Sequence, residues 1–396
     1  MQQPSSPIAV LYQQRSALLT EYAYEKEQFQ RLTEAAGIGQ KVRQGLAWFP
    51  LTMGRSYTNS LDQIVVEVSR NYTASDRTEH PEHTEDAGFY DIPDHQFEPN
   101  KPVCFFSEDV SGYRHKTGGM LHYMKFVAQV SFVDANKMVV VLPNTDALVQ
   151  IQNEQRIGVQ LFFDEFTYRL MFEALDAVIN DKGGRLSELR DICHGTLPTS
   201  KFTFAPTRFP WLNTSQQAAV NEVLWAKDVA VIHGPPGTGK TTTLVEAVYE
   251  TLRRENQVLV CAQSNMAVDW IAEKLVDRGL SVLRVGNPTR VTDKMLSFTY
   301  ERQFENHPLY PELWAVRKAL RDVYASRNGS ADSRHQKIAR LKDRANEIEN
   351  NINQSIFNNT RVVACTLAGS ANHILDRTKF GTLFIDEAAQ ALDVAR

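Results

Sequence analysis

Two short strings carry residue types that together suit phosphate chemistry. The first is VAVIHGPPGTGKTTT, residues 229–243, in which Gly234 is followed after four residues by Gly239-Lys240-Thr241. It lies between an apolar, strand-like run and a helical segment. Bare glycines leave backbone N–H groups free to curl around a phosphate chain, and the helix that follows aims its N-terminus at the same charge. Lys240 is placed to reach the outer phosphates, and the Thr241 hydroxyl to ligate magnesium. The candidate nucleotide-binding residues of this loop are Gly234, Pro235, Pro236, Gly237, Thr238, Gly239, Lys240, Thr241 and Thr242. The second string, LFIDEAAQALDVAR, ends an apolar run in Asp386-Glu387. A phosphate-binding α/β fold holds magnesium with a carboxylate at the end of a central strand, and a neighbouring acid can orient the attacking water. Asp386 is therefore the metal-side candidate beside Thr241. Glu387 is the candidate base, and Lys240, Asp386 and Glu387 form the catalytic set for a nucleoside triphosphate.

These residues need a scaffold. From residue 211 onward the apolar runs VAVIHG, VLVCAQS, SVLRVG, RVVACTLAG and TLFIDEAA alternate with helical segments. That alternation predicts an α/β fold with a parallel, doubly wound sheet. Residues 290–358 are helical and charged, too long for a simple crossover, and read as an inserted helical arm. Upstream, residues 8–36 lack Gly and Pro and repeat Ile8, Leu11, Leu18, Tyr22, Phe29, Leu32 and Ala36 at helical spacings, with Gly37 and Gly39 ending the helix. Between 42 and 150 the period changes to two. Ile64, Val66 and Val68 alternate with polar residues, as do Met124, Phe126, Ala128, Val130 and Phe132, while PVCFF and KMVVVL add strands. Many short strands predict a small antiparallel β-barrel, OB-like in character. A second helical stretch at 158–180 is placed to pair with the first beneath the barrel. The expected domains are a stalk helix (1–41), the barrel (42–150), a second stalk helix and linker (151–210), and an incomplete ATPase domain (211–396) carrying the arm.

Composition narrows the classes. A formal charge of −4 over 396 residues gives no global attraction to a polyanion, so any nucleic-acid site must be local. Cys104, Cys193, Cys261 and Cys365 lie far apart, which indicates neither a disulfide framework nor a zinc module. The first residues lack the basic and apolar regions of a signal peptide, and no apolar run approaches the length of a membrane span. The expectation is a cytoplasmic protein without membrane contact.

Several strings together resemble the superfamily 1 helicases of the up-frameshift type, which include the immunoglobulin-mu-binding helicases. LNTSQQAAV (212–220) is similar to their adenine-reading segment, with Gln216 at the position of the base-bonding glutamine. GPPGTGKTTT is their Walker A form and DEAAQA (386–391) their Walker B form. AQSNMAVD (262–269) resembles a segment that touches the nucleic-acid backbone through Ser264 and Asn265, with Gln263 where members usually carry proline. VVACTLAGSA (362–371) resembles a further contacting motif with Thr366 as its hydroxyl. The resemblance covers roughly 211–289 and 359–392 and implies a RecA-like domain that uses ATP and Mg2+ to move on single-stranded RNA or DNA, 5′ to 3′. It also implies a second RecA-like domain that supplies arginines to the transferring phosphoryl group. The few residues after Asp386 leave no room for it, so the chain reads as an N-terminal fragment, weakly active alone.

A P-loop ATPase that remodels protein complexes without gripping nucleic acid shares Gln216 and the Walker strings, but not the two contacting motifs. A non-enzymatic module with a residual nucleotide site is disfavoured by the complete set of Lys240, Thr241, Asp386 and Glu387. Two further stretches have nucleic-acid character. Arg317 to Arg344 holds nine Lys/Arg against three Asp, and SGYRHKTGGMLHYMK interleaves Tyr113, His115 and Tyr123 with Arg114, Lys116 and Lys125. A solvated helical hairpin accounts equally for the first. His80, His83 and His95 sit among acids as a weak metal candidate.

Overall fold

The computed structural model describes residues 6–34, 37–59, 63–70, 95–99, 101–109, 120–163, 165–286, 291–325, 331–376 and 378–390. The chain divides into two compact units, Tyr12–Phe172 and Met1–Leu11 with Glu173–Arg396.

The helical periodicity of the N-terminal stretch produces α1 (Pro7–Glu34), and α2 (Ile38–Arg43) follows. Gly37 is the residue capping α2 and Gly39 lies inside it, so Gly39 does not end the first helix as expected. The strands are β1 (Ala47–Trp48), β2 (Leu51–Thr58), β3 (Ile64–Arg70), β4 (Pro102–Asp109), β5 (Met120–Tyr123), β6 (Ala128–Val133) and β7 (Lys137–Leu142). After α3 (Thr145–Gln152), capped by the Asn144 side chain, comes β8 (Ile157–Leu161), then α4 (Glu165–Asn180). The strands form one sheet in the order β1-β8-β4-β6-β7-β3-β2, with β5 on β4, and all their pairings are antiparallel. Trp48, Val66, Val68, Phe105, Val130, Met138, Val140 and Val159 make its core.

Two expectations change here. Residues 157–161 are a strand and not the start of a helix, because a short apolar run has no period that separates the two. The expected alternation also breaks: Ala128 and Val130 are buried but Phe132 is exposed, since the ladder to β7 shifts register between Val130 and Phe132. Along α1, Tyr22 packs its ring against Tyr168 and Phe172 of α4, and Lys26 pairs with Glu165 at 2.6 Å.

The second unit carries α5 (Arg185–Cys193), α6 (Thr214–Trp225), α7 (Lys240–Thr251), β9 (Val258–Ala262), α8 (Asn265–Asp277), β10 (Val282–Arg284), α9 (Tyr300–Glu305), α10 (Tyr310–Ala325), α11 (Ala331–Asn359), β11 (Val362–Thr366) and β12 (Leu383–Asp386). Its sheet runs β10-β11-β9-β12 and is wholly parallel. Val268, Ile271, Ala272 and Leu275 recur at helical spacing on α8 and are fully buried in the core shared with β9 and β11. Val268, Ile271 and Leu275 each contribute about 1.5–3 kcal/mol by burial. Within the arm, α10 packs on α11, whose Ile348, Ile352 and Ile356 form a buried stripe.

One expected strand is absent. Residues 229–234 are irregular, with Val229 39% and Val231 84% exposed, and β12 pairs on one side only, with β9. A strand exists only where a neighbour accepts its ladder, and among the described residues none adjoins this run. No helix among the described residues is long and apolar enough to cross a membrane.

Candidate nucleotide site and strand-binding edge

The phosphate loop turns on two left-handed glycines, Gly237 (φ +80°) and Gly239 (φ +81°), before α7 starts at Lys240. Only glycine adopts this backbone without strain. The Thr238 hydroxyl donates to Pro235 O (2.8 Å), and Lys240 Nζ donates to Gly234 O (3.0 Å) and Pro235 O (3.3 Å). The lysine thus spans the loop it would share with a phosphate chain. Thr241 is half-buried and Thr242 exposed on the first turn of α7. Thr243, which sequence reasoning passed over, is buried and donates to Gly239 O (2.9 Å), locking the loop to the helix.

Gln216 lies at this loop, held by its own helix. Asn213 and Gln216 form the capping box of α6: Gln216 N donates to Asn213 Oδ1 (2.9 Å), and Asn213 N to Gln216 Oε1 (3.2 Å). Its Nε2 donates to Thr238 O (3.1 Å), and a Cβ at Gly239 would stand 2.5 Å from that nitrogen. Each end of the amide makes one bond and keeps a second proton or lone pair that a base can take.

Asp386 ends β12 with 9% exposure and stands in register with Ala262 of β9. Its Oδ1 accepts from Glu387 N (3.0 Å). Burial holds its carboxyl above the ordinary carboxylate range, and the adjacent Glu387 charge adds to the rise. The Glu387 N–H bond and the Lys240 charge oppose it. Glu387 is exposed and has a positive φ of 51°, which a non-glycine residue rarely adopts. A buried carboxylate within reach of the Lys240 charge supplies an oxygen of the kind a hard dication takes.

The three strand-contact candidates gather at the C-terminal edge of the same sheet. Thr366 of β11 and Asp386 of β12 are both in register with Ala262, the last residue of β9, from which Ser264 and Asn265 lead into α8. Ser264 caps α8, accepting from Ala267 N (3.2 Å), and the Thr366 hydroxyl accepts from Gly369 N (3.0 Å). Each hydroxyl spends an acceptor on its turn and keeps its proton to donate. Asn265 is half-buried, and its Oδ1 accepts from Arg284 Nη2 (2.9 Å).

Arg284 and Asp269 went unassigned in the sequence. They form a fully buried pair at 2.7 Å, and Asp269 Oδ2 also takes Thr292 N (2.8 Å) at the root of the arm. The available signal was an arginine inside the otherwise apolar run SVLRVG, and an aspartate on the buried face of α8.

The secondary candidates recede. In the arm, Arg317 pairs with Glu349, while Arg344 pairs with Glu312 and Glu347, so part of the basic charge is neutralised. Tyr113, Arg114, His115, Lys116, His80 and His83 lie outside the described residues. Tyr123 donates inward to Gln160 (2.9 Å), His95 bonds Asp134 O and packs on Trp48, and no metal-holding cluster of His, Cys, Asp or Glu is found among the described residues.

The AAA domain family matches residues 211–395. An uncharacterised ATP-dependent helicase of Methanocaldococcus jannaschii is 27% identical over 61% of this chain and 42% of its own length. DNA-binding protein SMUBP-2 of Mesocricetus auratus is 28% identical over 63% of this chain and 26% of its own. The ATP-dependent helicase upf1 of Schizosaccharomyces pombe is 36% identical over 46% of this chain and 19% of its own. The chain thus spans less than half the length of these relatives. The chain is similar to up-frameshift-type superfamily 1 helicases, and the AAA domain family matches it over residues 211–395.

Proposed function

We propose that this chain is the ATP-binding and strand-gripping portion of a helicase or translocase that moves on single-stranded RNA or DNA, 5′ to 3′. The observation that carries this reading is the row Asp386–Ala262–Thr366 across β12, β9 and β11. It supports the reading because the candidate metal-side carboxylate and the candidate strand-contact residues share one sheet edge, where a change at the nucleotide can reach the strand. Ser264, Asn265 and Thr366 offer neutral donors at strand ends, the chemistry that suits phosphate oxygens without reading bases.

In the nucleotide site, Lys240 exchanges the Gly234 and Pro235 carbonyls for the β- and γ-phosphates, within the cradle of residues 234–242. Gln216 offers its remaining proton and lone pair to the adenine edge, which an amide can bond in bidentate fashion. Thr241 and Asp386 would hold Mg2+, which when bound neutralises charge on the transferring phosphoryl group. Glu387 orients the attacking water. Full turnover calls for arginines from a second RecA-like domain, as the family resemblance implies. The antiparallel sheet of the other unit serves as a barrel-like accessory domain on the α1 and α4 stalk, and the protein works in the cytoplasm.

Equilibrium binding tests this. A fluorescent ATP analogue should bind in a magnesium-dependent manner and be lost in Lys240→Ala. Labelled oligouridylate or oligothymidylate should bind with an affinity that falls as salt rises. ATP binding with no strand binding at low salt would favour the protein-remodelling ATPase instead.

A further inference from the structure

We infer that the buried Arg284–Asp269 pair is a positioning device for Asn265: it fixes which end of the Asn265 amide faces the nucleic-acid strand. The inference rests on the proposed strand contact of Asn265 and deepens it.

A phosphate oxygen only accepts hydrogen bonds. A carboxamide serves it only when the NH2 end points outward, and an unconstrained Asn can present either end. Arg284 removes that freedom. Its guanidinium has donors and no acceptor, and all three of its nitrogens are committed: Nε to Asp269 Oδ1 (2.7 Å), Nη1 to Val285 O (2.6 Å) and Nη2 to Asn265 Oδ1 (2.9 Å). Turning the Asn265 amide over would set its NH2 against the donors of a fully buried guanidinium. The oxygen therefore stays inward and the two Nδ2 protons are presented outward.

The arginine itself is held. It is fully buried, and Asp269, its ion-pair partner, lies four residues after Asn265 on the same face of α8. Gly286 leaves the space it fills, since a Cβ there would stand 2.9 Å from Nη1. Asp269 is fixed in turn by Thr292 N. A pair that served only to fasten β10 to α8 would need no third bond to a half-exposed amide at the strand-facing edge.

The test measures binding of labelled oligouridylate by the 396-residue chain, with ATP-analogue affinity and melting temperature as parallel readouts. Asn265→Ala should weaken strand binding about tenfold, the worth of a hydrogen bond to a charged group. Arg284→Lys keeps a charge for Asp269 but cannot span the fork. It should reproduce that loss with ATP affinity unchanged, and Arg284→Lys with Asn265→Ala should lose no more than either alone. Asn265→Asp keeps the acceptor for Arg284 and removes the outward donors, so it should hold or raise the melting temperature while losing the strand. Arg284→Lys binding the strand as tightly as wild type, or losses that add in the double variant, would overturn the positioning role while leaving the Asn265 contact intact. Unaltered binding by both Asn265 variants would remove the contact and the inference with it. Should Arg284→Lys not fold, Asn265→Asp decides: a lowered melting temperature or an undiminished strand affinity overturns the proposal.

Discussion

Asp269→Ala is the substitution whose cost the structure sets most firmly. Arg284 is wholly buried, and Asp269 is its one ion-pair partner among the described residues, at 2.7 Å. Truncation leaves the guanidinium with only Val285 O and Asn265 Oδ1, and also orphans Thr292 N–H. Removing one member of a buried pair costs about 3–5 kcal/mol because the other charge stays uncompensated. The orphaned amide overlaps with that cost and pushes the sum toward the upper end, about 4–5 kcal/mol. With a urea slope of about 2 kcal/mol per molar, the unfolding midpoint of the parallel-sheet unit should fall by roughly 2 M. Circular dichroism follows its helices, and the exposed Trp211 and Trp270 report locally by fluorescence. Replacing both partners, Asp269→Leu with Arg284→Met, removes the stranded charge and should recover most of the loss. A midpoint unmoved by Asp269→Ala, or a double variant no better than the single one, would refute the reasoning. The first would mean the charge finds water; the second, that packing and not charge sets the cost.

Three other substitutions probe separate parts of the chain. Burial lifts the Glu301 carboxyl to about 7, aided by the nearby Glu305 charge and opposed by Arg284, and its Oε2 has no partner. The folded chain keeps a proton that the unfolded chain releases above its ordinary value of 4.5, so this stability is full below that value and is lost as pH rises to about 7. The shift corresponds to about 3 kcal/mol, and Glu301→Gln should flatten that fall and raise the melting temperature at alkaline pH. In the antiparallel sheet, a Cβ at Gly158 would stand 2.2 to 2.8 Å from three atoms of the buried Phe106 ring. Gly158→Ala should destabilise that unit by about 1–3 kcal/mol, measured by calorimetry, with ATP-analogue affinity unchanged. Gly239→Ala meets both a φ of +81° and Gln216 Nε2 at 2.5 Å, and should weaken ATP-analogue binding about tenfold or more while the fold persists.

The candidate phosphate loop and the Asp386-Glu387 pair stand out in the sequence because the chemistry proposed for them requires particular residue types at fixed intervals. The parallel runs were legible as well, since strands buried on both faces read as unbroken apolar stretches. Residues 229–234 misled for a related reason: an apolar run states what a segment can bury, while its strandhood depends on a neighbour elsewhere in the chain. β2, with its LTMGRSYT sequence and mostly exposed side chains, offered too little alternation to be found. Gln216 and Ser264 illustrate two readings borne by one residue. Asn213-x-x-Gln216 is a capping box and Ser264 an N-cap, and each also stands where the family resemblance seeks a ligand contact. Arg284 was visible only as a misfit in an apolar strand; its partners lie 15 and 19 residues away along the chain and are brought together by folding alone.

In the proposed function, nucleotide and strand act on one sheet edge. The most direct measurement is ATP hydrolysis by the 396-residue chain, with and without single-stranded RNA or DNA, beside Lys240→Ala. Slow turnover that rises with strand and vanishes in the variant is the predicted result. Turnover indifferent to strand, or undiminished in Lys240→Ala, would contradict it.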